Sequence, residues 1–110
     1  MRVTVQITAG PAQGQSFVFD QPDTFLFGRA KDARVPLPDD PYLSRHHFMI
    51  EIAPPHCRLS DLGSKNGTFV NHAPVRGRQP LSDRDEIDVG PERLIVRIVR
   101  EPVSTRTQPR

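Results

Sequence analysis

Residues 42–61 read YLSRHHFMIEIAPPHCRLSD, and the part from Phe48 onward decides the kind of fold. Phe48, Ile50 and Ile52 fall on alternate positions, as do Cys57 and Leu59 beyond the turn APPH. Successive side chains of a strand point to opposite faces, so this alternation is the pattern of half-buried β-strands. The interval Tyr42 to Ala53 is also the longest in the chain free of both glycine and proline, and its apolar residues lack helical spacing. When the longest unbroken piece reads as strand, the chain reads as all-β.

The pattern repeats outward in both directions. RVTVQIT places Val3, Val5 and Ile7 on one face, and SFVFD places Phe17 and Phe19 on one face after the loop AGPAQGQ, which predicts a first hairpin. TFLFG adds Phe25 and Phe27, and shorter pieces follow at TFVN, around Val75 and at EIDVG. RLIVRIVR closes with Leu94, Val96 and Ile98 on one face and Ile95, Arg97 and Val99 on the other. Apolar residues on both faces suit an interior strand, here one paired with the N-terminal strand. The 110 residues, punctuated by 12 prolines and 7 glycines, suffice for one core. The expectation is a two-sheet antiparallel β-sandwich over residues 1–100, with residues 101–110, EPVSTRTQPR, as a flexible tail or linker. Thr105 and Thr107 in that tail are within a kinase's reach.

Composition narrows the function. No long apolar run exists to span a membrane, and the alternating N-terminus is no signal peptide. The single cysteine, Cys57, sits in an apolar alternation and reads as a small buried hydrophobe in a reducing, cytoplasmic setting. Residues 97–110 hold four arginines and one glutamate, leaving eleven basic and twelve acidic residues in 1–96. With one tyrosine and no tryptophan, the domain lacks the basic, aromatic face that nucleic acid requires, and no nucleic-acid partner is expected. His46 and His47 are strand neighbours pointing apart with no further ligand at metal spacing, so neither a metal nor a cofactor is expected. A hydrolase built on Ser44 with His47 as base lacks a nucleophile elbow and a third partner, and the chain is read as no enzyme.

Three loops at strand ends carry polar residues that a scaffold does not ask for: FGRAKD, YLSRHH and DLGSKNGTFVN. If these loops converge at one end of the sandwich, they bring together Arg29, Ser44, Arg45, Lys65 and Asn66. Such a set suits a phosphoryl group, because arginine offers a planar fork to two oxygens while hydroxyl, ammonium and backbone N–H groups fill the other acceptor positions.

The order Gly28-Arg29, Ser44-Arg45-His46-His47, Asn66-Gly67-Thr68 and Asn71 resembles the forkhead-associated (FHA) domain over about residues 2–100. VPLPDDPYLSRHH and LSDRDEIDVG add to the likeness. The resemblance implies a phosphothreonine-binding sandwich of about eleven strands that docks a phosphorylated protein or peptide, such as a Ser/Thr kinase or its substrate. By that resemblance Arg29, Ser44, Arg45 and Lys65 face the phosphate and Asn66 the ligand's backbone. Gly28, His47, Asp61, Gly67, Thr68 and Asn71 then support the loops. His47 props the loop presenting Ser44, and Asp61 ties backbone N–H groups of LGSKNG.

Taken singly, Arg29 reads as a solvated arginine, Ser44 as a turn former and Asn66-Gly67 as a hairpin turn; the order and spacing of all of them favour binding. The expected complex is micromolar, since charged hydrogen bonds of roughly 1.5–3 kcal/mol each offset an association cost of about 4–15 kcal/mol. Two turns depart from the family. His72 and Arg84 stand where glycine is usual, which raises the prospect of another turn type where the family uses positive φ. Asp39 and Asp40, just before Ser44, either oppose phosphate or favour a basic neighbour of the phosphothreonine. The rival reading is a phospho-independent assembly or oligomerisation module.

Overall fold

The computed structural model describes residues 1–37 and 41–100. Asp39, Asp40 and the segment 101–110 with Thr105 and Thr107 lie outside the described residues. Eleven strands form in chain order: β1 (Arg2–Ala9), β2 (Ser16–Phe19), β3 (Asp23–Gly28), β4 (Val35–Pro36), β5 (Phe48–Ala53), β6 (His56–Asp61), β7 (Phe69–Val70), β8 (Ala73–Pro74), β9 (Arg78–Pro80), β10 (Glu86–Val89) and β11 (Glu92–Val99). They make a six-stranded sheet in the order β2-β1-β11-β10-β7-β8 and a five-stranded sheet in the order β4-β3-β5-β6-β9. The all-β sandwich expected from the alternation is what the chain forms.

The alternating residues line the space between the sheets. Val3, Val5 and Ile7 of β1, Phe25 and Phe27 of β3, Phe48, Ile50 and Ile52 of β5, and Leu94, Val96 and Ile98 of β11 are all buried. Phe27 stacks on Phe48 with ring centroids 4.6 Å apart, and Phe19 crosses between the sheets to meet Phe25 at 3.9 Å. Cys57 is buried among these side chains, and burial pushes its thiol up to about 11, with the Arg100 charge pulling weakly the other way. β11 lies inside its sheet against β1, as its two apolar faces predict.

Three details depart from the sequence reading. β2 and β3 follow one another but belong to different sheets, so the meander starts at β3, not at β1. β4 is a two-residue strand that runs parallel to β3, the one parallel pair among the described residues. Val75 belongs to no strand, although its N–H donates to the Thr68 carbonyl at 2.9 Å.

Register then positions the loops. Phe27 pairs with Phe48, and Phe48 pairs with Asp61. The C-terminal ends of β3 and β6 therefore lie beside the N-terminal end of β5, and the connections 29–47 and 62–68 leave the sheet from one end.

Candidate functional site

Segment 44–47 is held as an irregular extension of the five-stranded sheet. His47 N–H donates to Phe27 O at 2.9 Å, Arg29 N–H to Ser44 O at 3.0 Å and Ala30 N–H to Arg45 O at 3.0 Å. This close approach explains Gly28, because a Cβ there would run into the Arg45 carbonyl oxygen and lie 3.0 Å from the His47 nitrogen.

His47 is fully buried and joins two loops through its ring. Nδ1 accepts the Ser44 N–H at 3.0 Å, and Nε2 faces the Gly67 carbonyl at 2.8 Å. A ring nitrogen that accepts an N–H carries no proton, so the network assigns the neutral tautomer with hydrogen on Nε2, donating to Gly67 O. Asp61 organises the second loop. Its Oδ2 accepts the Ser64 N–H at 2.9 Å, and its Oδ1 accepts the hydroxyls of Ser64 and Thr68 at 2.5 and 2.7 Å. Ser64 Oγ in turn accepts the Gly67 N–H at 3.0 Å. Burial works against the ionised carboxyl, but the hydrogen bonds from Ser64 and Thr68 outweigh it and hold Asp61 below the ordinary carboxylate value.

The two loops meet over an open depression of about 400 Å³ lined by Arg29, Ser44, Arg45, Lys65 and Asn66, together with Pro41, Tyr42, Leu43 and His46. Ser44 Oγ accepts the Lys65 N–H at 2.9 Å, which leaves its own hydrogen available to a ligand. Arg29 Nε donates to Leu43 O at 3.1 Å, which aims the rest of the guanidinium from a fixed root. Asn66 Nδ2 donates to Tyr42 O at 2.8 Å, and among the described residues its Oδ1 is an open acceptor. Among the described residues, none of Arg29, Arg45 and Lys65 has an ion-pair partner. The nearby acid Asp32 faces His46 Nε2 at 2.9 Å; that hydrogen bond, with a smaller pull from Arg45, lowers its pKa against slight desolvation. Among the described residues, three cationic heads without an ion-pair partner and a hydroxyl thus surround one concavity.

Asn71 stands apart from this group. Its Nδ2 donates to Asp85 Oδ1 at 2.9 Å and its Oδ1 accepts the Glu86 N–H at 3.0 Å, bracing the β7–β8 turn against the 81–85 loop. Asn71 and His72 have φ of 50° and 72°, and Arg84 has φ of 73°. The turns keep the left-handed conformation even without glycine, so the prospect of a different turn type is set aside. Ser64 and the carbonyls of Tyr42 and Leu43 carry no mark in the motif order; Asp61-x-x-Ser64, a side chain–backbone turn pattern, was the signal available for Ser64.

A model of the FHA domain matches residues 25–90. The chain belongs to the forkhead-associated domain family. This FHA domain is 39% identical over 89 residues to an oxoglutarate dehydrogenase inhibitor of Corynebacterium efficiens, covering 81% of the chain and 61% of that relative. It is 37% identical over 89 residues to the glycogen accumulation regulator GarA of Mycolicibacterium smegmatis, covering 81% of the chain and 54% of GarA. The chain thus spans little more than half the length of these curated relatives. A solved FHA domain studied for phosphothreonine-dependent interactions superposes with a TM-score of 0.81 at 35% identity, covering 92% of this chain and all of that one.

Proposed function

We propose that this FHA domain is an adaptor that binds a phosphothreonine-bearing protein in Ser/Thr kinase signalling. The observation that carries the reading is that Arg29, Arg45 and Lys65, which have no ion-pair partner among the described residues, surround the available hydroxyl of Ser44. Arg29, Ser44, Arg45 and Lys65 are assigned to the phosphate and Asn66 to the ligand's backbone through Oδ1 and its second N–H. Gly28, His47, Asp61, Gly67 and Thr68 are assigned to holding the two loops, and Asn71 to bracing a turn outside the site.

Binding is preferred to catalysis on geometry. His47 Nδ1 is occupied by the backbone N–H of Ser44, not by its hydroxyl, so the ring is no base for that oxygen. The rival of phospho-independent assembly is not favoured, because the solved relative is described for phosphothreonine-dependent interactions. The binding unit is taken as residues 1–100 with 101–110 as a tail. A cytoplasmic setting is part of the proposal, supported by the buried free thiol of Cys57. Among the described residues no helix is long and apolar enough to cross a membrane.

The test is capture of matched phosphothreonine, phosphoserine and unmodified peptides by the wild type and by Arg29→Ala. Phosphothreonine-dependent capture that the substitution abolishes is the expected result. Equal capture of modified and unmodified peptides by the wild type overturns the proposal. Discrimination against phosphoserine rests on one methyl group and is expected at about 10- to 200-fold.

A further inference from the structure

Gly90 is not among the residues that line the depression, yet it bears on the one that holds the ligand's backbone. It sits in the turn between β10 and β11, which belong to the six-stranded sheet, whereas Tyr42 precedes β5 of the five-stranded sheet. A Cβ on Gly90 would lie 2.9 Å from Tyr42 Cβ, 3.7 Å from the Tyr42 carbonyl carbon and 3.8 Å from its oxygen. Carbon atoms in contact prefer about 3.5–4.0 Å, so the space beside the tyrosine's stem admits no side chain from the turn. That carbonyl oxygen is the one that accepts Asn66 Nδ2 at 2.8 Å. On its other side the Tyr42 peptide unit leads into Leu43, which is buried in the core. The bare α-carbon of Gly90, the Tyr42 carbonyl and the Asn66 amide thus stand in a row.

Backbone conformation alone does not explain what position 90 asks for. Gly90 takes φ +56° and Gly77 takes φ +66°, both in the left-handed region that favours glycine. A Cβ on Gly77, however, meets nothing within 4 Å. The two glycines share a conformation and differ in what lies beside them.

We propose that Gly90 is a positioning residue for ligand binding: by leaving room for the Tyr42 backbone it keeps Tyr42 O where the Asn66 amide is held against it. Asn66 then presents Oδ1 to the ligand's backbone, and a turn of the six-stranded sheet sets how that backbone is gripped. A methyl group on Gly90 displaces the Tyr42 stem by roughly 0.6–1.1 Å, the difference between 2.9 Å and ordinary carbon contact. A 2.8 Å hydrogen bond stretched by that amount passes the roughly 3.2 Å limit of its kind. The proposal rests on the phosphothreonine reading above and adds to it a residue that acts on the site from outside.

The test compares Gly90→Ala with Gly77→Ala in the full chain, using the phosphothreonine peptide that the wild type captures best. Both variants carry the strain of alanine in the left-handed region. Gly90→Ala is expected to lose affinity by about tenfold, the effect of one hydrogen bond, and Gly77→Ala to stay within about twofold of wild type. In the free domain the side-chain amide protons of Asn66 should shift in the NMR spectrum of Gly90→Ala and not in that of Gly77→Ala, as a lengthened bond to Tyr42 O requires. Tyr42→Gly removes the atom that the new methyl group meets, so adding Gly90→Ala to Tyr42→Gly should change affinity by less than about twofold. Coupling runs both ways, so in the wild type the Gly90 amide signal should move as peptide is added while that of Gly77 stays, a readout that needs no variant to fold.

Equal affinities of Gly90→Ala and Gly77→Ala, a loss at Gly90→Ala that Tyr42→Gly leaves in place, or a Gly90 amide signal unmoved by the peptide overturns the inference while leaving phosphate recognition intact. Wild-type capture indifferent to phosphorylation removes the underlying reading, and the inference with it.

Discussion

Replacing His47 by alanine tests whether one buried ring couples the two binding loops. The substitution removes the acceptor of the Ser44 N–H and the donor to the Gly67 carbonyl, both bonded at 3.0 Å or less to a fully buried side chain. Leaving each of these two part-buried backbone groups without a partner costs about 1–3 kcal/mol, and the emptied space adds about 1 kcal/mol, so the expected loss is about 3–7 kcal/mol. That is a large share of the roughly 5–15 kcal/mol that holds a typical domain folded. Urea unfolding at pH 7 measures it, with unchanged slope showing that the folded and unfolded states still differ by the same surface. His47→Asn and His47→Gln separate the two bonds. Asparagine Oδ1 overlays Nδ1 and keeps the Ser44 bond, whereas glutamine Nε2 reaches toward the Gly67 carbonyl. Phosphopeptide affinity should survive better in the asparagine variant, because Ser44 is the residue at the phosphate. A His47→Ala domain within about 1 kcal/mol of wild type would refute the reasoning, since two unpaired backbone groups beside an emptied buried site are expected to cost more.

Asp61→Asn should destabilise the domain at pH 7 by placing an N–H donor opposite the Ser64 and Thr68 donors. A carboxyl held below its ordinary value contributes stability that is fully present above the unfolded value near 3.8 and lost as pH falls through the folded value. The gap between wild type and Asp61→Asn in thermal unfolding should therefore narrow in that acid window, and a constant gap contradicts the assignment. His72→Gly and Arg84→Gly should each stabilise by about 1 kcal/mol, because both positions force a side chain into the left-handed region; destabilisation of either variant in urea would contradict this. Gly28→Ala should cost about 1–3 kcal/mol and weaken phosphopeptide binding, because the new methyl group pushes the Arg45 backbone. Wild-type affinity in that variant would show that the loop shifts freely.

The long strands were legible because burial on one face leaves an alternating record: Val3, Val5 and Ile7, or Leu94, Val96 and Ile98, announce their face and their length. β4 and β9, with two and three residues, are too short to alternate. The division of β2 and β3 between sheets depends on where the chain turns after Phe19, which no apolar period encodes. In the site, charged and hydroxyl side chains stood out by type, and the structure brings Arg29, Ser44, Arg45, Lys65 and Asn66 to one depression. The carbonyls of Tyr42 and Leu43, which orient Asn66 and Arg29, were invisible because every residue has a carbonyl. Ser64 resembled any loop serine until its neighbours Asp61 and Gly67 were in place.

The antiparallel pairing of Arg2 with Val99 has a consequence for how such a domain travels between proteins. The strand ends at Arg2 and Val99 lie within one strand spacing, about 5 Å. The opposite end of the same two strands adjoins the turn at Gly90 that presses on Tyr42, about 25 Å away along eight residues of strand. A host protein can therefore carry the domain at either terminus, or spliced into one of its own surface loops, with little strain on the host and with the ligand-facing loops directed outward.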